Sequence, residues 1–204
     1  MIYLSGVIRK ELLGKRPDLG FLLTPRMGNV FDLQAGPWAA DNGCFSAGQS
    51  FDMPAYLDFL AARRHAVANC LFAPAPDVVG DAAATWRRSE CALGQIRQAG
   101  FKAALVGQDG LEDPPWDAFD ALFLGGTTEW KLSHTARDLT AKAKRRGKHV
   151  HMGRVNSETR LRTAALWGCD SADGTFLAFG PDKNTPRLLG WLDRLKEQPE
   201  IAFG

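Results

Sequence analysis

Short apolar runs, most closing on Gly or Pro, recur along this chain. Most are followed by a stretch with apolar positions at helical spacing. The runs fall at residues 2–6, 20–25, 38–43, 70–76, 103–107, 121–126, 149–155 and 168–174. Runs of this length, ended by a breaker, read as strands. Helical patterns fall at 54–64, 81–99, 133–146, 157–167 and 187–197. Asp81, Ser133 and the triplet Asn156-Ser157-Glu158 stand where side-chain caps belong, and Gly100 and Gly147 where C-terminal caps belong.

Strands alternating with helices predict a mostly parallel sheet, and eight such units predict a (β/α)8 barrel. At 204 residues one domain, spanning 1–204, is expected, near the lower size limit for a barrel. Some helices must then be short or missing. The stretch 26–37, between the second and third strands, has little helical periodicity. A doubly wound open sheet is the competing architecture. It usually has fewer strands, and no G-x-G-x-x-G follows the first strand here.

Composition changes this picture little. The chain is 45% hydrophobic and 24% charged with a net charge of +2, which neither demands nor excludes a nucleic-acid partner. The one dense basic run, at 142–148, reads as a solvated helix C-terminus, with a phosphate contact the less favoured alternative. Cys44, Cys70, Cys91 and Cys169 share no metal-ligand spacing, so no structural zinc is expected, and their scatter suits reduced thiols. No signal peptide is evident and no apolar run approaches membrane-spanning length. The expectation is a soluble, cytoplasmic protein with no membrane contact.

The chemistry gathers at the strand ends, which in a barrel all face one mouth. The third strand ends in Asp41-Asn42-Gly43-Cys44-Phe45-Ser46 and the fourth in Pro76-Asp77, with Asp81 just beyond. The fifth brings Gln108 and Asp109, the sixth Gly125-Gly126-Thr127, and the seventh Met152-Gly153-Arg154. The eighth, Gly168-Cys169-Asp170-Ser171-Ala172-Asp173, carries two carboxylates and is followed by Gly174. Each piece alone has a plain explanation. Asp41 suits a turn before Gly43, Asp81 a helix cap, Gly125-Gly126 a tight turn, and Met152 and Phe45 a core. Asp170 and Asp173 could bind turn N–H groups. Their convergence at one mouth is harder to explain in that way.

The order of these segments resembles the tRNA-guanine transglycosylase superfamily, over residues 41–175. The family's DSGG[FY]Q motif is similar to 41–46, its FDEC strand end to 75–77, and its VQGG to 106–110. Its GGLAVGE is similar to 125–129, its Met-Gly to 152–153, and its G-x-D-x-F-D to 168–173. The family's zinc-binding CxCxxC and the Pro-Thr-Arg after its nucleophile have no counterpart here. In this the chain resembles the short, zinc-free phage and prophage branch that inserts 7-deazaguanines into DNA.

The resemblance implies base exchange without a cofactor or metal. Asp173 would be the nucleophile and Asp41 would handle the proton of the leaving or entering base. Asp77 and Gln108 would read the base edge, with backbone near Gly125 and Gly126 approaching it. Phe45 and Met152 would sandwich it. Asp81 and Asp170 are further candidates. Arg154, Lys183 and Arg187 are candidate phosphate contacts, with plain solvation the equal alternative. DNA is the expected partner, tRNA the less favoured one, and a 7-deazaguanine base the co-substrate. A barrel acting on free nucleosides or other small glycosides, and a non-catalytic base-binding barrel, remain the competing functions.

Overall fold

The computed structural model describes residues 1–12, 14–26, 32–44 and 51–197. Eight strands form a parallel sheet: β1 (Ile2–Ser5), β2 (Leu19–Leu23), β3 (Trp38–Ala40), β4 (Ala73–Pro74), β5 (Ala103–Gly107), β6 (Ala121–Leu124), β7 (His149–Met152) and β8 (Ser171–Asp173). Their order is β3-β2-β1-β8-β7-β6-β5-β4. The ring closes between its outer strands through a single parallel bridge, Trp38 to Cys70. There Leu71 N donates to Trp38 O at 2.8 Å and Ala40 N to Phe72 O at 3.1 Å. The fold is therefore a small, nearly closed (β/α)8 barrel. β4 is shorter than the run 70–76 suggests, because Pro74 and Pro76 have no N–H to give a ladder.

Among the described residues six helices surround it: α1 (Met53–Ala61), α2 (Ala82–Gln98), α3 (Thr128–Lys131), α4 (His134–Arg145), α5 (Glu158–Leu166) and α6 (Pro181–Glu197). Their starts are fixed by caps legible in the sequence. Asp81 accepts from Ala84 N, Ser133 from Ala136 N and Ser157 from Arg160 N. In α2 the buried positions Thr85, Ser89, Ala92, Leu93 and Ile96 form one stripe. Only a short 3-10 turn, Trp116–Ala118, lies between β5 and β6. α6 begins six residues before the predicted 187, with Pro186 inside it. The Asn184 amide secures that start by donating to the carbonyls of Phe176 (2.8 Å) and Phe179 (2.7 Å).

Strand alternation divides the apolar residues into two sets. Leu4, Ala39, Phe72, Ala104 and Ala121 fill the barrel interior, with Ile2, Leu22 and Phe123 against them. Phe21, Leu122, Leu124, Val150, Met152 and Ala172 belong to the larger core between strands and helices. No helix among the described residues is long and apolar enough to cross a membrane.

Candidate active site

Parallel strands put every strand end named above at one mouth, and there three carboxylates meet. Asp41 follows β3 and is half-buried; one carboxylate oxygen accepts from Gly43 N at 2.8 Å. Gly43 takes a left-handed φ of 71°, which lets the chain turn back over the carboxylate. Burial, with the charges of Asp173 and Asp77 adding to it, pushes the Asp41 carboxyl up to about 6. The folded protein thus holds that proton at pH values where the unfolded chain has released it. Its ionisation costs stability as pH rises from about 4 to about 6. Asp41→Asn should stabilise the protein by about 1–3 kcal/mol at pH 7.5 and by nothing below pH 4. Urea denaturation at the two pH values measures this.

Asp77, after β4, is nearly buried. Its carboxylate accepts from the amides of Gln108 (2.7 Å) and Asn42 (3.1 Å). Burial raises its pKa and these two donors oppose the rise. Gln108 is itself fixed, because its Oε1 accepts from Gly80 N at 2.9 Å. It holds Asp77 in place and keeps one amide hydrogen for a ligand. Gly125 lies against this pair: a Cβ there would stand 2.5 Å from Val106 and 3.1 Å from Gln108 Nε2. Gly125→Ala should therefore push Gln108 off Asp77 and lower stability by about 1–3 kcal/mol, from loss of one charge-assisted hydrogen bond. Urea denaturation measures that loss. Gly126 turns the other way, toward Trp130 and Asp109. Asp109 accepts from Thr127 N (2.7 Å) and Thr127 Oγ (2.6 Å) and so fixes the loop after β6.

Asp173 ends β8. Its Oδ1 accepts from His151 Nε2 at 2.9 Å, while Oδ2 has no hydrogen-bond partner among the described residues. The side chain is 14% exposed, enough for a ligand to reach it. The backbone is pinned as well, since Val155 N donates to Asp173 O at 2.5 Å. A Cβ on Gly153 would come 3.3 Å from Asp173 Oδ1 and 2.5 Å from Phe123, so glycine leaves this side of the mouth open. Tyr3 Oη donates to Val155 O at 3.0 Å, and burial together with Asp173 raises its pKa far above the ordinary phenol range.

Three of the sequence candidates sit elsewhere. Met152 points outward into the helix-facing core. Its neighbour His151 points inward, and side chains alternate along a strand, so Met152 cannot stack on a ligand in the mouth. Asp170 precedes β8 and lies at the opposite end of the barrel. It pairs with Lys144 Nζ at 2.5 and 2.7 Å and accepts from Val150 N at 2.8 Å. Three residues span about 10 Å along a strand, at ~3.3 Å each, and an odd step also changes face. Asp170 and Asp173 therefore cannot act together. Asp81 caps α2. Phe45 lies outside the described residues.

Arg154, at a φ of 58°, donates to the carbonyls of Gly125 (2.5 Å) and Gly126. It braces two strand-end loops against each other. Lys183 and Arg187 are exposed one turn apart on α6, the helix that leaves the mouth after β8. The basic run at 142–148 is not simply solvated. Lys144 is tied to Asp170, and Lys148 Nζ donates to Phe119 O at 2.8 Å.

Two mouth groups escaped the sequence reading. Lys131 is fully buried at the end of α3, where its ammonium donates to Gly153 O at 2.6 Å. Burial lowers its pKa to about 8, and the charge of Asp173 opposes that. It supplies positive charge near Asp173. His151 is the other. A lysine in a four-residue helix and a histidine in an apolar run carry no local signal of such roles. Among the described residues no group of three or more His, Cys, Asp or Glu could hold a metal ion.

No protein family matches the chain, and no curated protein matches it. Solved structures similar to it include a tryptophan synthase from M. tuberculosis. That alignment covers 87% of this chain and 77% of the other, at 14% identity and a TM-score of 0.49. PaMucR phosphodiesterase, solved as a c-di-GMP complex, aligns over 70% of this chain and 61% of its own, at 14% identity and a TM-score of 0.44. A putative glycerophosphoryl diester phosphodiesterase from Silicibacter pomeroyi aligns over 79% of this chain, which spans 52% of the length of that one, at 17% identity and a TM-score of 0.44.

Proposed function

We propose that this protein is a base-exchange transglycosylase that replaces guanine in DNA with a 7-deazaguanine, such as 7-cyano-7-deazaguanine. The observation that carries the reading is one mouth holding two carboxyls with different tasks. Asp173 offers an unpartnered Oδ2, while Asp41 is poised to hold a proton up to about pH 6. A carboxylate placed to attack, beside a second carboxyl that can hold a proton, is what exchange at a glycosidic carbon needs.

In the first half-reaction Asp173 Oδ2 attacks C1′. The N-glycosidic bond breaks, its electrons go to the base, and Asp41 gives the departing guanine a proton. In the second, Asp41 takes a proton from the entering base. Its nitrogen attacks C1′ and expels Asp173 as a carboxylate. Asp77 recognises the base. A carboxylate has about four lone-pair sites, and Asn42 and Gln108 occupy two of them. The backbone N–H of Asp77 takes a third, and the site that remains suits an N–H donor of guanine. A base in a duplex must leave the stack to reach this mouth, at about a few kcal/mol. Lys183 and Arg187 are then phosphate contacts from the rim, while Arg154 holds the loops.

The test offers the protein a DNA oligonucleotide, a tRNA and free guanosine in parallel, each with 7-cyano-7-deazaguanine. Nucleoside mass spectrometry reads the product. Incorporation into DNA supports the proposal. Incorporation only into tRNA keeps the chemistry and overturns the substrate. Turnover of free guanosine alone replaces the proposal with a nucleoside-processing enzyme.

A further inference from the structure

The barrel interior holds a line of polar groups that the reaction above does not use. It starts at Asp173 and runs to the opposite end of the barrel. Asp173 Oδ1 meets His151 Nε2 at 2.9 Å. His151 Nδ1 meets Ser171 Oγ at 2.8 Å, and Ser171 Oγ meets His149 Nε2 at 2.8 Å. His151 and Ser171 are entirely buried. Phe72 packs against both imidazoles, at 4.9 Å from the His151 ring and 5.5 Å from that of His149, and Phe123 meets the His151 ring edge-on at 4.6 Å. His149 is half-buried and lines an open recess of about 500 Å³ with Lys102, Asp120, Lys144, Lys148 and Asp170. That recess is at the far end from the mouth.

When Asp173 is ionised and both imidazoles are neutral, the hydrogens along this line have only one consistent arrangement. A carboxylate only accepts, so His151 Nε2 carries hydrogen. Nδ1 of a neutral imidazole then accepts, so the Ser171 hydroxyl donates to it. Ser171 Oγ in turn accepts from His149 Nε2–H. Burial is the main cause that lowers the His149 pKa to about 4, with Asp170 opposing and His151, Lys144 and Lys102 acting in the same direction, so this ring is neutral. All three hydrogen bonds then point at Asp173. His149 Nδ1 has no hydrogen-bond partner among the described residues.

We propose that His151, Ser171 and His149 form a proton path through the barrel that joins Asp173 to the recess on the opposite face. Its purpose rests on the reading of Asp173 as the reacting carboxylate. A proton entering at His149 Nδ1 displaces Nε2–H to Ser171 Oγ, and the Ser171 hydrogen moves to His151 Nδ1. The His151 Nε2–H then moves to Asp173 Oδ1. One proton enters, one arrives, and both imidazoles change tautomer. The reverse sequence strips a proton from Asp173 and restores its nucleophilic form. It works while nucleic acid covers the mouth and keeps solvent from that side. The titratable and charged groups around the path are Asp41, neutral Tyr3 and Lys131 near Asp173, and Asp170, Lys144 and Lys102 near His149.

Nitrogen-15 NMR of the imidazoles in the intact protein at pH 7.5 tests the arrangement without any variant. Both rings should be Nε2–H tautomers. Hydrogen on His151 Nδ1 instead would overturn the proposal. Exchange of the His151 Nε2 proton with water tests the route. In His149→Phe and in Ser171→Ala it should slow by roughly tenfold or more, because histidine and hydroxyl carry the shuttle. Unchanged exchange in either folded variant means that protons enter by the mouth, and the path is wrong. The tautomer measurement decides if neither variant folds. Base exchange is not part of these readouts, so failure of the transglycosylase reading would be seen separately, in the substrate assay.

Discussion

Asp173→Asn should abolish base exchange and covalent adduct formation while leaving the thermal transition nearly unchanged. An amide has no anionic oxygen to attack C1′ or to leave from it, so no fraction of the covalent route survives. The fold should survive for reasons visible in the structure. Asn is nearly isosteric with Asp, and its carbonyl can still accept from His151 Nε2, now 2.9 Å from Asp173 Oδ1. The backbone hydrogen bond from Val155 N does not involve the side chain. Asp170→Asn is the matched control. It loosens an ion pair with Lys144 at the other end of the barrel and should leave exchange intact. The measurement is incorporation of labelled guanine into a DNA oligonucleotide, with adduct detected as a shifted protein band. Full activity in Asp173→Asn would refute the nucleophile assignment.

Asp41→Asn should slow exchange by roughly 10²–10⁴-fold, the usual worth of a positioned acid and base. It should also remove a limb of the pH–rate profile. Asp41 titrates at about 6 in the free protein, so the wild-type profile of kcat/KM should bend there. The variant should lose that bend. Base affinity should change less than in Asp77→Ala, since Asp77, held by Gln108 and Asn42, is the proposed recognition group. Exchange measured from pH 5 to 9 settles it. A bend near 6 that persists in Asp41→Asn would assign the proton to another group. The same substitution should raise stability at neutral pH, so loss of activity with gain of stability is the expected pair of outcomes.

Much of the barrel was legible because its signals are local. A strand needs a short apolar run and a breaker, and a helix needs a periodic face and a cap. Asp81, Ser133 and Ser157 cap helices where the sequence placed caps. The meeting of Asp41, Asp77, Gln108 and Asp173 also followed from sequence, because parallel strands deliver their ends to one mouth whatever fills the core. Other features were decided only by tertiary structure. Side-chain direction depends on strand phase, which a run of apolar residues leaves open by one step. That step sends Met152 outward and His151 inward, and it puts Asp170 at the far end of the barrel from Asp173. Lys131 and the line of His151, Ser171 and His149 were invisible for a related reason. Their partners, Gly153 O, Asp173 and one another, lie on different strands or helices 20 or more residues away, and only closure of the barrel brings them within reach.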